Sequence, residues 1–86
     1  MAQEPRDIRI KRLTMRSMRR GIKEMDLILQ SYAEAHLSDM DDATLDLYEA
    51  LLHENDQDLY QWVTGQKPAP EALADLMADI AQKYKP

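Results

Sequence analysis

The chain has 86 residues, a formal net charge of −5, two glycines and no cysteine. A domain of this length buries roughly 60% of its unfolded surface, so a large enclosed ligand cavity is not expected. Without cysteine there are no disulfides, no thiol chemistry and no thiolate-held zinc, and one valine with no phenylalanine is poor material for a sheet.

Ala, Leu, Met, Glu, Lys and Arg dominate, and all favour helix. The expected fold is all-α, a compact five-helix bundle in one domain over residues 1–86, with residues 1–5 as a disordered tail. No apolar run approaches the ~20 residues a membrane span needs. The Arg-rich N-terminus has no apolar stretch and is not a secretory signal. Glu4 and Asp7 argue against a mitochondrial presequence. The expected location is cytoplasmic, in keeping with the lack of cysteine.

Charge is split along the chain. Residues 1–24 hold eight basic groups against Glu4, Asp7 and Glu24, a net +5, and residues 25–86 carry a net −10. Such a split suits either a partner-facing surface or internal complementarity.

The first helix is predicted over residues 6–19. Ile8, Met15 and Met18 share one face, Ile10 and Leu13 point elsewhere, and basic residues fall all round. Gly21 follows and suits a left-handed C-terminal cap or a close chain approach. The second helix, residues 22–36, has the clearest pattern: Ile22, Met25, Ile28, Leu29, Tyr32 and His36 form a stripe at helical spacing. Glu24, Leu27 and Ser31 flank it.

Residues 37–42 form a turn in which Ser38 and Asp41 resemble a capping box. The third helix, residues 42–53, is expected to bury Leu45, Tyr48, Leu51 and Leu52. Asp56 or Asp58 can cap a short fourth helix carrying Leu59, Trp62 and Val63, which Gly65 stops. After the stiff Lys67-Pro68-Ala69-Pro70 connector, the last helix runs over residues 70–84 with Leu73, Met77, Ile80 and Tyr84 on one face. The predicted core is Ile28, Leu29, Tyr32, Leu45, Tyr48, Leu52, Leu59, Trp62, Leu73, Met77 and Ile80.

Few residues suit catalysis. Glu49 lies four residues before His53, a ligand-compatible spacing, but no third metal ligand is evident. Ser17, Ser31 and Ser38 sit in no nucleophile elbow, and no glycine-rich phosphate loop exists. The chain therefore reads as a binding protein, not an enzyme, with no catalytic residue and no metal site. Arg16, Arg19, Arg20 and Lys23 could form a basic patch. The strongly acidic remainder repels phosphate, so nucleic acid is not an expected partner.

The stretch Arg19-Arg20-Gly21-Ile22-Lys23-Glu24 is the most informative. If helical geometry continues across Gly21, Arg20 and Glu24 form a surface ion pair worth ~0.3–0.5 kcal/mol. Alternatively, a bulk-free glycine between a guanidinium and a carboxylate suits docking onto a protein loop. On either reading the corner is expected to lie exposed and to contribute little to folding.

Two blocks carry a resemblance. Arg16-Ser17-Met18-Arg19-Arg20-Gly21-Ile22-Lys23-Glu24-Met25-Asp26-Leu27-Ile28-Leu29 resembles the core motif of the succinate dehydrogenase flavinylation factors, also called succinate dehydrogenase assembly factor 2. Leu51-Leu52-His53-Glu54-Asn55-Asp56-Gln57-Asp58-Leu59-Tyr60-Gln61-Trp62 resembles a second block of that family, in the same order and spacing. The resemblance covers residues 6–80. Met18 departs from it, standing where relatives often carry an aromatic residue.

The resemblance implies a five-helix assembly factor that binds the flavoprotein subunit of succinate dehydrogenase, and in some bacteria serves fumarate reductase. Such a factor promotes covalent FAD attachment to its client. The flavin chemistry belongs to the flavoprotein, so no cofactor is expected to be held stably by this chain. The implied partner-binding residues are Arg20, Gly21 and Glu24, with Asp26 and Arg19 beside them. A bacterial, monomeric form is expected. The alternatives are a generic helical adaptor or an antitoxin-like regulator.

Overall fold

The computed structural model describes residues 4–84. It consists of α1 (Arg6–Arg16), α2 (Lys23–His36), a 3-10 turn (Leu37–Asp39), α3 (Asp42–Leu52), α4 (Asp56–Val63) and α5 (Glu71–Tyr84). No strand occurs among the described residues.

Helix α2 is the hub. Met25, Ile28, Leu29, Tyr32 and Ala33 recur at helical spacing and are buried. Around them α2 packs against α1, α4 and α5, while α3 also packs on α5. Leu45, Tyr48, Leu51 and Leu52 of α3 join the same core, as do Leu59 and Val63 of α4 and Leu73, Leu76, Met77 and Ile80 of α5. Every predicted core residue is buried except Trp62, which is half-buried against the cluster. The Tyr32 and Tyr48 rings stack with centroids 6.2 Å apart.

Helix α1, whose packing face the sequence left open, uses the side carrying Ile10 and Leu13. Leu13 is fully buried and Ile10 packs on the core, whereas Ile8 and Met15 are exposed. Ile10, Leu13 and Ser17 share a face with Arg6 and Arg9 at helical spacing. The reason for that choice lies in α3. Arg9 meets Asp46 at 2.6 Å and Glu49 at 3.2 Å, Arg12 meets Glu49 at 3.2 Å, and Arg6 meets Asp42 at 3.2 Å. Arg6 also donates to the carbonyls of Ser38 and Met40. Hydrogen bonding by Arg12 is the main reason Glu49 stays charged below its ordinary range. Much of the charge split is thus answered inside the molecule. Of the tail expected over residues 1–5, residues 1–3 lie outside the described residues. Glu4 reaches Arg12 at 3.0 Å, and Pro5 leads into α1.

The helix ends also differ from expectation. α1 stops at Arg16, and the Ser17 hydroxyl just beyond it donates to the Leu13 carbonyl at 2.8 Å and meets the Tyr48 hydroxyl at 2.6 Å. Burial pushes the Tyr48 phenol up to about 12. Asp41 alone caps α3, accepting the Thr44 amide at 2.8 Å, and Ser38 lies in the 3-10 turn instead. Asn55, not Asp56 or Asp58, caps α4 by accepting the Gln57 amide at 2.8 Å. That cap leaves the Asp56 carboxylate available for another role. Gly65 stops α4 with φ +82°, a left-handed conformation that costs glycine little.

Candidate functional site

Between α1 and α2 the chain turns a corner, and one residue sets its shape. Arg19 adopts φ +57°, left-handed backbone that is uncommon for a residue with a Cβ. Strain of this kind, about 1–3 kcal/mol, persists where surrounding structure holds it. Arg19 itself is exposed, whereas its neighbour Arg20 turns inward with a side chain 12% exposed.

Arg20 is fully engaged. Its Nε donates to Asp56 Oδ1 at 2.8 Å, and Nη2 lies 2.7 Å from the same oxygen. Nη1 donates to the carbonyls of Leu52 at 3.0 Å and Arg16 at 3.4 Å, and Nη2 donates to that of Glu54 at 3.3 Å. The guanidinium thereby bonds carbonyls at the end of α3 and just beyond it, which would otherwise need solvent or a cap. The other Asp56 oxygen, Oδ2, accepts the Gly21 amide. One carboxylate at the start of α4 therefore holds two consecutive residues of the corner.

This arrangement corrects three expectations. Helical geometry does not continue across Gly21, and Arg20 pairs with Asp56 rather than Glu24. The left-handed residue is Arg19, so Gly21 is not a left-handed cap. What Gly21 supplies is space: a Cβ there would lie 3.0 Å from Asp56 Oδ2. And Arg20 is a strut of the fold, so the corner as a whole does not lie free of folding energetics.

The outward groups are Arg19, Gly21, Lys23 and Glu24, all exposed. Glu24 is the second residue of α2, whose N-cap Ile22 provides no side-chain acceptor. Glu24 makes no ion pair with any described residue. It stands in the first turn of α2, at the positive end of the helix dipole. Leu27 follows three residues later and is 57% exposed, which extends the outward face with apolar surface. Asp26 is half-buried, and its Oδ1 is enclosed without a hydrogen-bond partner among the described residues.

Of the expected basic patch, Arg19 and Lys23 remain outward, Arg20 is sequestered, and Arg16 lies 3.4 Å from His53 Nδ1. Glu49 is occupied by Arg9 and Arg12, and the His36 ring sits 4.8 Å from that of Tyr32. Among the described residues no group of three His, Asp or Glu is placed to hold a metal ion. Asp56 is the residue that sequence reasoning missed. It stood inside the second family block, but its spacing there suggested a helix cap.

The fold and this corner define a class: a small all-helical protein that presents a strained, internally fastened loop at the start of its central helix. The sequence profile of the family described as "Flavinator of succinate dehydrogenase" matches residues 11–84, and the chain belongs to that family. Relatives named "Succinate dehydrogenase assembly factor 2, mitochondrial" include one from Drosophila grimshawi, 38% identical over 95% of this chain and 58% of its own length. One from Meyerozyma guilliermondii is 44% identical over 84% of this chain and 56% of its own. One from Danio rerio is 34% identical over 96% of this chain and 54% of its own. The chain thus spans a little over half the length of these relatives. No helix among the described residues is long and apolar enough to cross a membrane.

Proposed function

We propose that this chain is an assembly factor that binds the flavoprotein subunit of succinate dehydrogenase and promotes covalent attachment of FAD to it. Fumarate reductase is the natural second client. The observation that carries this reading is the corner itself. Arg19, Gly21 and Glu24 face outward on a backbone that Arg20 and Asp56 fasten from behind. A cation, a bulk-free backbone and a carboxylate without an ion-pair partner meet there. Together they can bind a carboxylate and backbone amides of a partner loop.

The factor acts by binding and carries no catalytic residue. Binding favours the flavin-accepting state of the client to the extent that the corner prefers that conformation. FAD stays with the flavoprotein. In support, the groove between α2 and α5, about 390 Å³, is lined by Leu27, Tyr32, His36, Lys83 and Tyr84 and offers Lys83 as its fixed cation. The two phosphates of a dinucleotide call for more. On this proposal the chain works as a monomer in the cytoplasm, although the relatives above are mitochondrial. Sedimentation and cell fractionation check these two points.

The test is in-gel flavin fluorescence of the denatured flavoprotein, from cells that lack their own factor and receive each variant. The unmodified chain should restore the signal. Glu24→Ala should lower it, and Gly21→Trp should abolish it. Restoration by every variant would show that the corner is not the docking site, and capture of nucleic acid in place of a flavoprotein would favour the regulator alternative.

A further inference from the structure

We infer that Asp56 is a positioning residue for partner binding: its carboxylate sets the arrangement of the Arg20-Gly21 backbone, so that Arg19, Gly21 and Glu24 meet the flavoprotein while Arg20 does not touch it. This rests on the reading above and divides its motif into an inner and an outer part. The geometry supports the division from two sides. Arg20 has its donors on Asp56 and three carbonyls, and its side chain is 12% exposed, so it has little left to offer a partner. Arg19, one residue earlier, is exposed and held at φ +57°.

Asp56 bonds both Arg20 and Gly21: Oδ1 accepts from the Arg20 guanidinium and Oδ2 accepts from the Gly21 amide. Hydrogen bonds to a charged group are the stronger kind. A Cβ on Gly21 would lie 3.0 Å from the same carboxylate, so any side chain there must displace Asp56. With the clamp gone, Arg19 has no reason to stay left-handed, and the outward groups spend part of their time in other arrangements. A partner that needs one arrangement then binds more weakly by the fraction lost.

The chain's two glycines make this measurable. Protein labelled with ¹⁵N-glycine gives two amide signals, Gly21 and Gly65. In Asp56→Asn the Gly21 amide should exchange with solvent roughly tenfold faster or more, as expected for loss of a charge-assisted bond, while Gly65 is unchanged. In a purified reaction with apo-flavoprotein subunit and FAD, Asp56→Asn should raise the factor concentration for half-maximal covalent flavin about tenfold and keep the level at saturation. Arg20→Ala combined with Asp56→Asn should be no worse than the poorer single variant, because both act through one clamp. Arg19→Ala should weaken binding with the melting temperature and the Gly21 signal unchanged.

If Asp56→Asn does not fold, Asp56→Glu keeps the charge, displaces the clamp by one methylene and should show the same split. Unchanged Gly21 exchange, an unchanged half-maximal concentration, or additive losses in the double variant would each overturn the inference. Failure of the unmodified chain to promote covalent flavin would instead overturn the functional reading, so the two failures are separable.

Discussion

Arginines at the two ends of the N-terminal segment meet opposite fates. Arg6, Arg9 and Arg12 stand three residues apart on α1 and face Asp42, Asp46 and Glu49 of α3, a ladder of acids at matching helical spacing. Their charge is spent on holding two helices together. At the corner, Arg20 is likewise absorbed, but by one carboxylate and three carbonyls in a more enclosed place, while Arg19 beside it is left to solvent. Residue type therefore does not separate structural from outward-facing cations. What separates them is whether an acceptor from a distant part of the chain lies opposite.

The sharpest way to break this comparison is Arg20→Ala. It strands a half-buried Asp56 and three carbonyls, and should lower unfolding free energy by about 2 kcal/mol, read as a lower denaturant midpoint with unchanged slope. Arg9→Ala on the helix ladder, where the acids are more open to water, should cost about 0.5–1 kcal/mol in the same titration. Acid separates the ladder further. Glu49 is held below its ordinary value of 4.5, so its contribution is fully present above that pH and is lost as the pH falls through the lower folded value. Glu49→Gln should flatten that stretch of the stability–pH curve, and melting scans from pH 6 to 2 check it.

Smaller effects are expected outside. Arg19→Gly removes left-handed strain and should raise stability by about 0.5 kcal/mol, while covalent flavin in the client falls. Glu24→Ala should shift stability by less than about 0.5 kcal/mol, with the same loss of function. A gain in stability with undiminished flavinylation in Arg19→Gly would mean that the exposed guanidinium has no partner.

The core was legible because local spacing decides it. Ile28, Leu29 and Tyr32 could only face one way on a helix, and they do. On α1 the same reasoning left the buried face open. Ile8 with Met15 and Ile10 with Leu13 were equally good apolar candidates, and the deciding acids lie 36 to 40 residues from the arginines they meet. The corner was misjudged for a related reason. Glu24 is the nearest carboxylate to Arg20 in sequence, but the one that meets it is Asp56, 36 residues on. The family motif located the corner without distinguishing the residue that supports it from those that face out.

The Arg20–Asp56 contact also bears on the order in which the protein is made. The corner lies near the start of the chain, yet its fastening arrives from a residue 35 positions beyond Gly21. Closing so long a segment carries an entropic cost, which packing of the core around α2 must meet first. An emerging or half-folded chain therefore has the motif in its sequence without having it in shape. On the function proposed above, the docking corner is complete only once folding is nearly complete, and immature copies would then not compete for the client.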